Sequence, residues 1–260
     1  MLTFILLIIL IALAGGIISG LFGGGSGIIF VPGFFAVLSY YYPHSEHLMQ
    51  VAISTCFASS IFIGLFASKK QIKYSHVQAR PLKETFIYIL IGAIIGVYLM
   101  TLIPSAKLKL FFAIVLFLIA IWMIKRQFSP TKQADVGQTQ KILLAGIAGL
   151  CTMLSGVSAF FVPFFIRYGL AIKNAIGAST IITLTLSFIM GILTIIFGLH
   201  ADHLPPHNLG YLNFSIFLTA IIPSIIGAII GSRLTYVLPM KPLQYIYIAM
   251  VIIVAVIMLV

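Results

Sequence analysis

Ten apolar segments alternate with short polar connections along this chain. In the first half they cover 2–21, 27–42, 48–68, 85–102 and 108–125, and in the second 142–154, 157–170, 176–198, 211–236 and 243–260. A helix of about 20 residues crosses the hydrocarbon core of a bilayer. The pattern therefore predicts an all-α polytopic integral membrane protein. The connection 126–141 mixes Ser, Pro, Thr, Lys, Gln, Asp and Gly without an apolar period and is the most polar stretch of the chain. It divides a first membrane repeat, 1–125, from a second, 142–260.

Composition excludes a water-soluble globule. The chain is 62 % hydrophobic and 7 % charged, with a mean hydropathy of +1.21, whereas soluble domains carry roughly 25 % charged residues. The net charge of +11 does not point to nucleic acid, because the basic residues sit in short connections and form no dense patch. Cys56 and Cys151 lie in apolar stretches and read as small buried hydrophobes. Met1-Leu2-Thr3-Phe4 lacks the basic start of a signal peptide, so the first segment reads as retained.

The two halves repeat each other. Leu21-Phe22-Gly23-Gly24-Gly25-Ser26-Gly27 interrupts an apolar stretch ahead of Pro32, and Leu154-Ser155-Gly156-Val157-Ser158 interrupts another ahead of Pro163. Aligning the prolines superimposes Gly15 on Gly146 and Gly25 on Gly156. Val51-Ala52-Ile53-Ser54-Thr55 matches Ile176-Gly177-Ala178-Ser179-Thr180. Gly92-Ala93-Ile94-Ile95-Gly96 recurs as Gly227-Ala228-Ile229-Ile230-Gly231, with Pro104 and Leu108 echoed by Pro239 and Leu243.

If the segments alternate strictly, one face carries Lys69, Lys70, Lys73, Arg80, Lys83, Lys125, Arg126, Lys132, Lys141, Arg167, Lys173, Arg233 and Lys241. Only Lys107 and Lys109, of 15 basic residues, lie opposite. The positive-inside rule makes the crowded face cytoplasmic, in a cell (inner) membrane. Five segments per half, an odd number, make the repeats inverted. The parity survives if the first two segments form a re-entrant hairpin, so the expectation is two inverted repeats of four to five membrane segments with broken or re-entrant helices.

Matched breaks in two apolar halves are the sequence mark of a transporter's central site. Gly23, Gly24, Gly25, Ser26 and Gly27 cannot hold a lipid-facing helix. Their backbone amides and the start of the next helix would suit an anion, although close helix packing or a simple turn is the plainer alternative. Ser54-Thr55 and Ser179-Thr180 place hydroxyls at matching positions, either as ligands or bonded to their own helix carbonyls. The paired GAIIG blocks read as close helix packing. Arg167, Lys173 and Arg233 read first as snorkelling anchors.

Other chemistry finds little support. Glu46, Glu84, Asp135 and Asp202 all fall in connections or at segment ends, so no proton relay on a mid-membrane carboxylate is indicated. His200, His203 and His207 with Asp202 share a loop, but Pro205 and Pro206 oppose a helix that would align them on a metal. Gly24-Gly25-Ser26-Gly27 fits the GxSG pattern of rhomboid-type proteases, yet all six histidines, His44, His47 and His76 among them, lie in connections. No GxxxxGK[ST] phosphate loop is present.

Gly20-Leu21-Phe22-Gly23-Gly24-Gly25-Ser26-Gly27 followed by Pro32, the Ala52-Ile53-Ser54-Thr55 block, and their echoes resemble the sulfite exporter TauE/SafE family across essentially the whole chain. The resemblance implies a multi-spanning transporter for sulfur-containing anions such as sulfite and sulfonates. It places Gly23 to Gly27, Pro32, Ser54 and Thr55 in the substrate region, with Ser155, Gly156, Ser158, Pro163, Ser179 and Thr180 as their counterparts. Ser26 interrupts the glycine run, and the second break holds less glycine than the family pattern. The expectation is thus a secondary transporter, exporter or facilitator, working by alternating access and not an enzyme; a passive anion channel or a carrier of another small organic anion is the alternative. Its partners are a small anionic substrate, the bilayer and sodium or a proton as candidate coupling ion, with no cofactor, metal or nucleic acid.

Overall fold

The computed structural model describes residues 2–22, 24–74, 79–128, 137–170, 172–237 and 240–259. Gly23, His76, Lys132, Asp135 and Pro239 from the sequence reading lie outside the described residues. The first half forms α1 (Leu2–Phe22), α2 (Gly27–Tyr41), α3 (Leu48–Tyr74), α4 (Ala79–Leu102) and α5 (Ser105–Phe128). The second forms α6 (Gln138–Ser155), a single 3-10 turn (Ser158–Phe160) running into α7 (Phe161–Arg167), α8 (Ile172–Gly198), α9 (Phe214–Val237) and α10 (Met240–Leu259). A small antiparallel hairpin, β1 (Asn208–Leu209) and β2 (Leu212–Asn213), precedes α9.

Several apolar segments shift when folded. α4 begins at Ala79 rather than at 85, taking in Pro81 and Glu84, because proline is tolerated in a helix's first turn, where no backbone donor is lost. The segment 157–170 is not one span but the 3-10 turn and α7. Among the described residues six helices are long and apolar enough to cross a membrane: α1, α3, α4, α5, α8 and α9. At about 1.5 Å per residue, α2 with 15 residues and α7 with 7 fall short of the roughly 30 Å core. Both are return arms of hairpins. Phe4 at the start of α1 stacks edge-on against Tyr41 at the end of α2, ring centroids 5.1 Å apart.

α3 is the central helix. Of its window Leu48–Phe66, 83 % is buried, against 33–39 % for the other five spanning candidates. The outer helices turn large apolar side chains outward, Leu10 (62 % exposed), Ile222 (68 %) and Ile257 (62 %) among them, as a lipid-facing surface requires.

The halves interlock through glycine. α1 packs on α9 and α4 packs on α6, so partners exchange when the halves are exchanged. A side chain at Gly16 would meet the Ser224 carbonyl, one at Gly20 the Ala228 carbonyl, one at Gly227 the Leu13 carbonyl and one at Gly231 the Ile17 carbonyl. Rising numbers meet rising numbers, so α1 and α9 run parallel. Gly92 against Gly146 and Gly96 against Leu150 make α4 and α6 parallel in the same way. The GAIIG blocks are therefore helix-packing seams, with backbones close enough that only glycine fits. α3 and α8 run antiparallel, since Ser54 meets Thr194 while Gly64 meets Leu184.

At one end of the molecule Gln50, fully buried on α3, ties that helix to the end of α4 and the start of α5. Its Nε2 donates to the Ile103 carbonyl (2.8 Å) and the Met100 carbonyl (3.4 Å), satisfying the C-terminus of α4, and its Oε1 lies 2.7 Å from Ser105 Oγ. Gln50→Leu leaves these groups buried and unpaired, and we expect it to lower unfolding stability by about 1–3 kcal/mol, read as a lower denaturation midpoint in detergent. At the other end Glu84 accepts from Arg80 Nε (2.7 Å) and from the Tyr168 hydroxyl, and Lys141 Nζ sits 4.7 Å from the Tyr168 ring centroid. Burial, and after it the Glu84 hydrogen bond, pushes the Tyr168 phenol up to about 12. It therefore stays protonated and keeps the end of α7 tied to α4 at physiological pH.

Candidate functional site

The two helix breaks meet. α1 ends at Phe22, and the chain turns through Gly24, Gly25 (φ +95°) and Ser26 before α2 begins. α6 ends at Ser155 and is capped by Gly156, whose φ of +70° is left-handed and whose amide donates to the Thr152 carbonyl. Positive φ at both places is readily available only to glycine. Val157 is then extended, its amide donating to Ser155 Oγ (3.2 Å), and the 3-10 turn starts at Ser158. The breaks are joined directly: the Gly25 amide donates to Ser158 Oγ at 3.2 Å. Gly27 abuts the Gly156 carbonyl so closely that no side chain fits there. Ser26 Oγ lies 2.9 Å from Ser60 Oγ and fastens the first break to α3.

A cavity of about 90 Å³ opens at this junction. Gly24, Ser158, Pro163 and Ser179 of the sequence-predicted site line it. The Ser179 hydroxyl is fully buried and has no hydrogen-bond partner among the described residues. A side chain begun at Gly24 would lie 3.3 Å from Ser158 Oγ and 4.0 Å from Ser179 Oγ, so these groups face one point. Ser158 accepts from Gly25, which leaves its hydroxyl hydrogen for a ligand. The remaining wall is apolar and aromatic.

Other predicted residues stand elsewhere. Gly25, Ser26, Gly27, Ser155 and Gly156 shape the breaks without lining the cavity. Pro32 sits inside α2. Ser54 Oγ is bound to Thr194 Oγ1 at 2.7 Å, and Thr55 Oγ1 accepts from the Asn213 amide at 3.1 Å, docking the hairpin. Thr180 Oγ1 donates to the Ile176 carbonyl of its own helix.

The sequence reading missed Tyr247, Phe22 and Trp122, which line the same cavity. Tyr247 is buried on α10, its ring 4.1 Å from that of Phe22, and its hydroxyl would lie 3.0 Å from a Cβ at Gly25. A phenol inside an apolar helix needs a polar partner when buried, and that was the signal available. Together the cavity offers hydroxyl donors from Ser158, Ser179 and Tyr247 at one end and an apolar wall at the other. Such a site can hold an anion by hydrogen bonds.

Comparison with known proteins agrees with a membrane transporter. A probable membrane transporter protein of Haemophilus influenzae (strain ATCC 51907 / DSM 11121 / KW20 / Rd) is 24 % identical over 247 residues, 94 % of each chain. The probable membrane transporter proteins YdhB and YunE of Bacillus subtilis (strain 168) are 24 % identical over 244 residues and 31 % identical over 136. The YdhB match covers 90 % of this chain and 91 % of YdhB; the YunE match covers 52 % and 50 %. No solved structure matches. The sulfite exporter TauE/SafE family model matches residues 7–258, and the chain, a multi-pass membrane transporter, belongs to that family.

Proposed function

We propose that the protein is a secondary transporter, exporter or facilitator, of small sulfur-containing anions such as sulfite or organosulfonates, and that the anion binds where the two breaks meet. The observation that carries this reading is the convergence of Ser158, Ser179 and Tyr247 hydroxyls on a cavity beside the Gly24–Gly25 backbone. The aromatic wall beside those donors favours an anion with a small apolar group, as in an organosulfonate. The parallel α1–α9 and α4–α6 pairs and the antiparallel α3–α8 pair support inverted repeats, which give a carrier two alternative ways to close around one site. The basic face is cytoplasmic in this reading, and the protein sits in the cell (inner) membrane.

The test is tracer flux in proteoliposomes across sulfite, thiosulfate, sulfate, methanesulfonate and chloride, with and without sodium and proton gradients. Saturable uptake of sulfite or methanesulfonate is expected. Flux that never saturates would identify a channel, and flux equal to empty vesicles for every anion would refute the reading.

A further inference from the structure

We propose that Ser179, Thr183, Ser187 and Thr194 on α8 line the route along which the anion passes from the cavity to the opposite face. This rests on the cavity being the substrate site. Positions four and seven apart share a face of a helix, so the four hydroxyls form one row, about 22 Å long at 1.5 Å per residue. One end, Ser179, lines the cavity at the breaks. The other end, Thr194, lies within two turns of Phe197 and His200, which line a polar cleft of about 450 Å³ together with Glu46, His47 and Tyr211.

The row is chemically unfinished. Ser179 Oγ, Thr183 Oγ1 and Ser187 Oγ are buried without hydrogen-bond partners among the described residues, and Ser179 and Ser187 are fully inaccessible. A buried hydroxyl with no partner is unfavourable and needs an explanation. By contrast Thr185, on another face of the same helix, is satisfied by the Ile181 carbonyl. At the cleft end the row is shut: Thr194 donates to the Gly191 carbonyl of its own helix and is bonded across to Ser54 of α3. Parting α3 from α8 would release that bond and give the unsatisfied hydroxyls an ion and water to bind.

The experiment compares tracer flux of sulfite and methanesulfonate in proteoliposomes for valine variants, which lack the hydroxyl, and for threonine at the same size, which keeps it. The double variant Thr183→Val, Ser187→Val is expected to lower the maximal rate about ten-fold or more, the effect of losing a hydrogen bond to a charged group, with KM within about three-fold. Its denaturation midpoint is expected not to fall, because two unpaired polar groups have been removed. Ser187→Thr, which keeps the hydroxyl at valine's size, and Thr185→Val are both expected to stay within about two-fold of wild type. Wild-type flux in the double valine variant would overturn the route, as would a loss in Ser187→Thr equal to that in the double variant, or a loss accompanied by a lowered midpoint. In each of those results the wild-type carrier still works and the cavity reading survives. If the wild type moves neither anion above empty vesicles, the cavity reading falls and the route falls with it.

Discussion

Gly25→Val is expected to abolish anion flux while the protein still inserts and accumulates in the membrane. Gly25 has φ +95°, a conformation that burdens residues with a Cβ by about 1–2 kcal/mol and β-branched ones most. Any side chain there would also start 3.0 Å from the Tyr247 hydroxyl, at the polar end of the cavity. Valine therefore distorts the turn, crowds the Tyr247 hydroxyl that lines the cavity, and disturbs the amide that holds Ser158. The spanning helices are untouched, so insertion survives. Gly24→Val is expected to act alike, since its side chain would point between Ser158 and Ser179. Flux normalised to protein in the vesicle membrane is the measurement, and normal flux in either variant would remove the site from the breaks.

The second large effect is of the opposite kind. Gly227→Leu and Gly92→Leu should each destroy the folded protein rather than its activity. A Cβ at Gly227 would overlap the Leu13 carbonyl oxygen, and one at Gly92 the Gly146 carbonyl oxygen. Backbone cannot swing aside as a side-chain end can, so the helices must separate. The close van der Waals and Cα–H···O contacts that join helices in lipid would go with the seam. Because the seams tie α1 to α9 and α4 to α6, each variant unlocks one half from the other. Size-exclusion profiles of detergent extracts should lose the monodisperse peak. Gly191→Ala is the control: its Cβ would meet nothing nearer than Ile61 Cδ1 at 3.9 Å, and its profile should match wild type. Equal behaviour of Gly227→Leu and Gly191→Ala would refute the packing role.

These two predictions separate what was legible in the chain from what was not. Repetition exposed the breaks and the packing seams together, because both depend on small residues at fixed spacing, and spacing survives in sequence. The alignment gave Gly25 and Gly156 equivalent places in the two halves, but not the contacts that each break makes with the other. The fate of the hydroxyls was not. Ser54 and Ser179 occupy matching positions, yet the first is bonded to Thr194 and the second is open to the cavity, a difference set by which helix happens to lie opposite. Thr55 was spoken for by Asn213 in a hairpin that hydropathy cannot show, since Tyr211 and Leu212 read as the start of an apolar helix. Tyr247 escaped for the converse reason: it has no partner in sequence, and only the packing of α10 against Phe22 brings it to the breaks. Return arms as short as α7 are also hard to read, because hydropathy averages over a window longer than the element.

The site itself is tested most directly by substrate protection of a single reporter. With Cys56 and Cys151 replaced by alanine, Ser179→Cys places a thiol in the cavity at the meeting of the breaks. The position is closed to solvent in this conformation, so a small water-soluble thiol reagent should modify it only as the cavity opens during transport, and a saturating concentration of the anion that the protein transports should slow that modification about ten-fold, while sulfate or chloride, if not transported, should leave the rate unchanged. A rate of modification equal with and without the transported anion would contradict the account, because the anion would then be passing without entering this cavity.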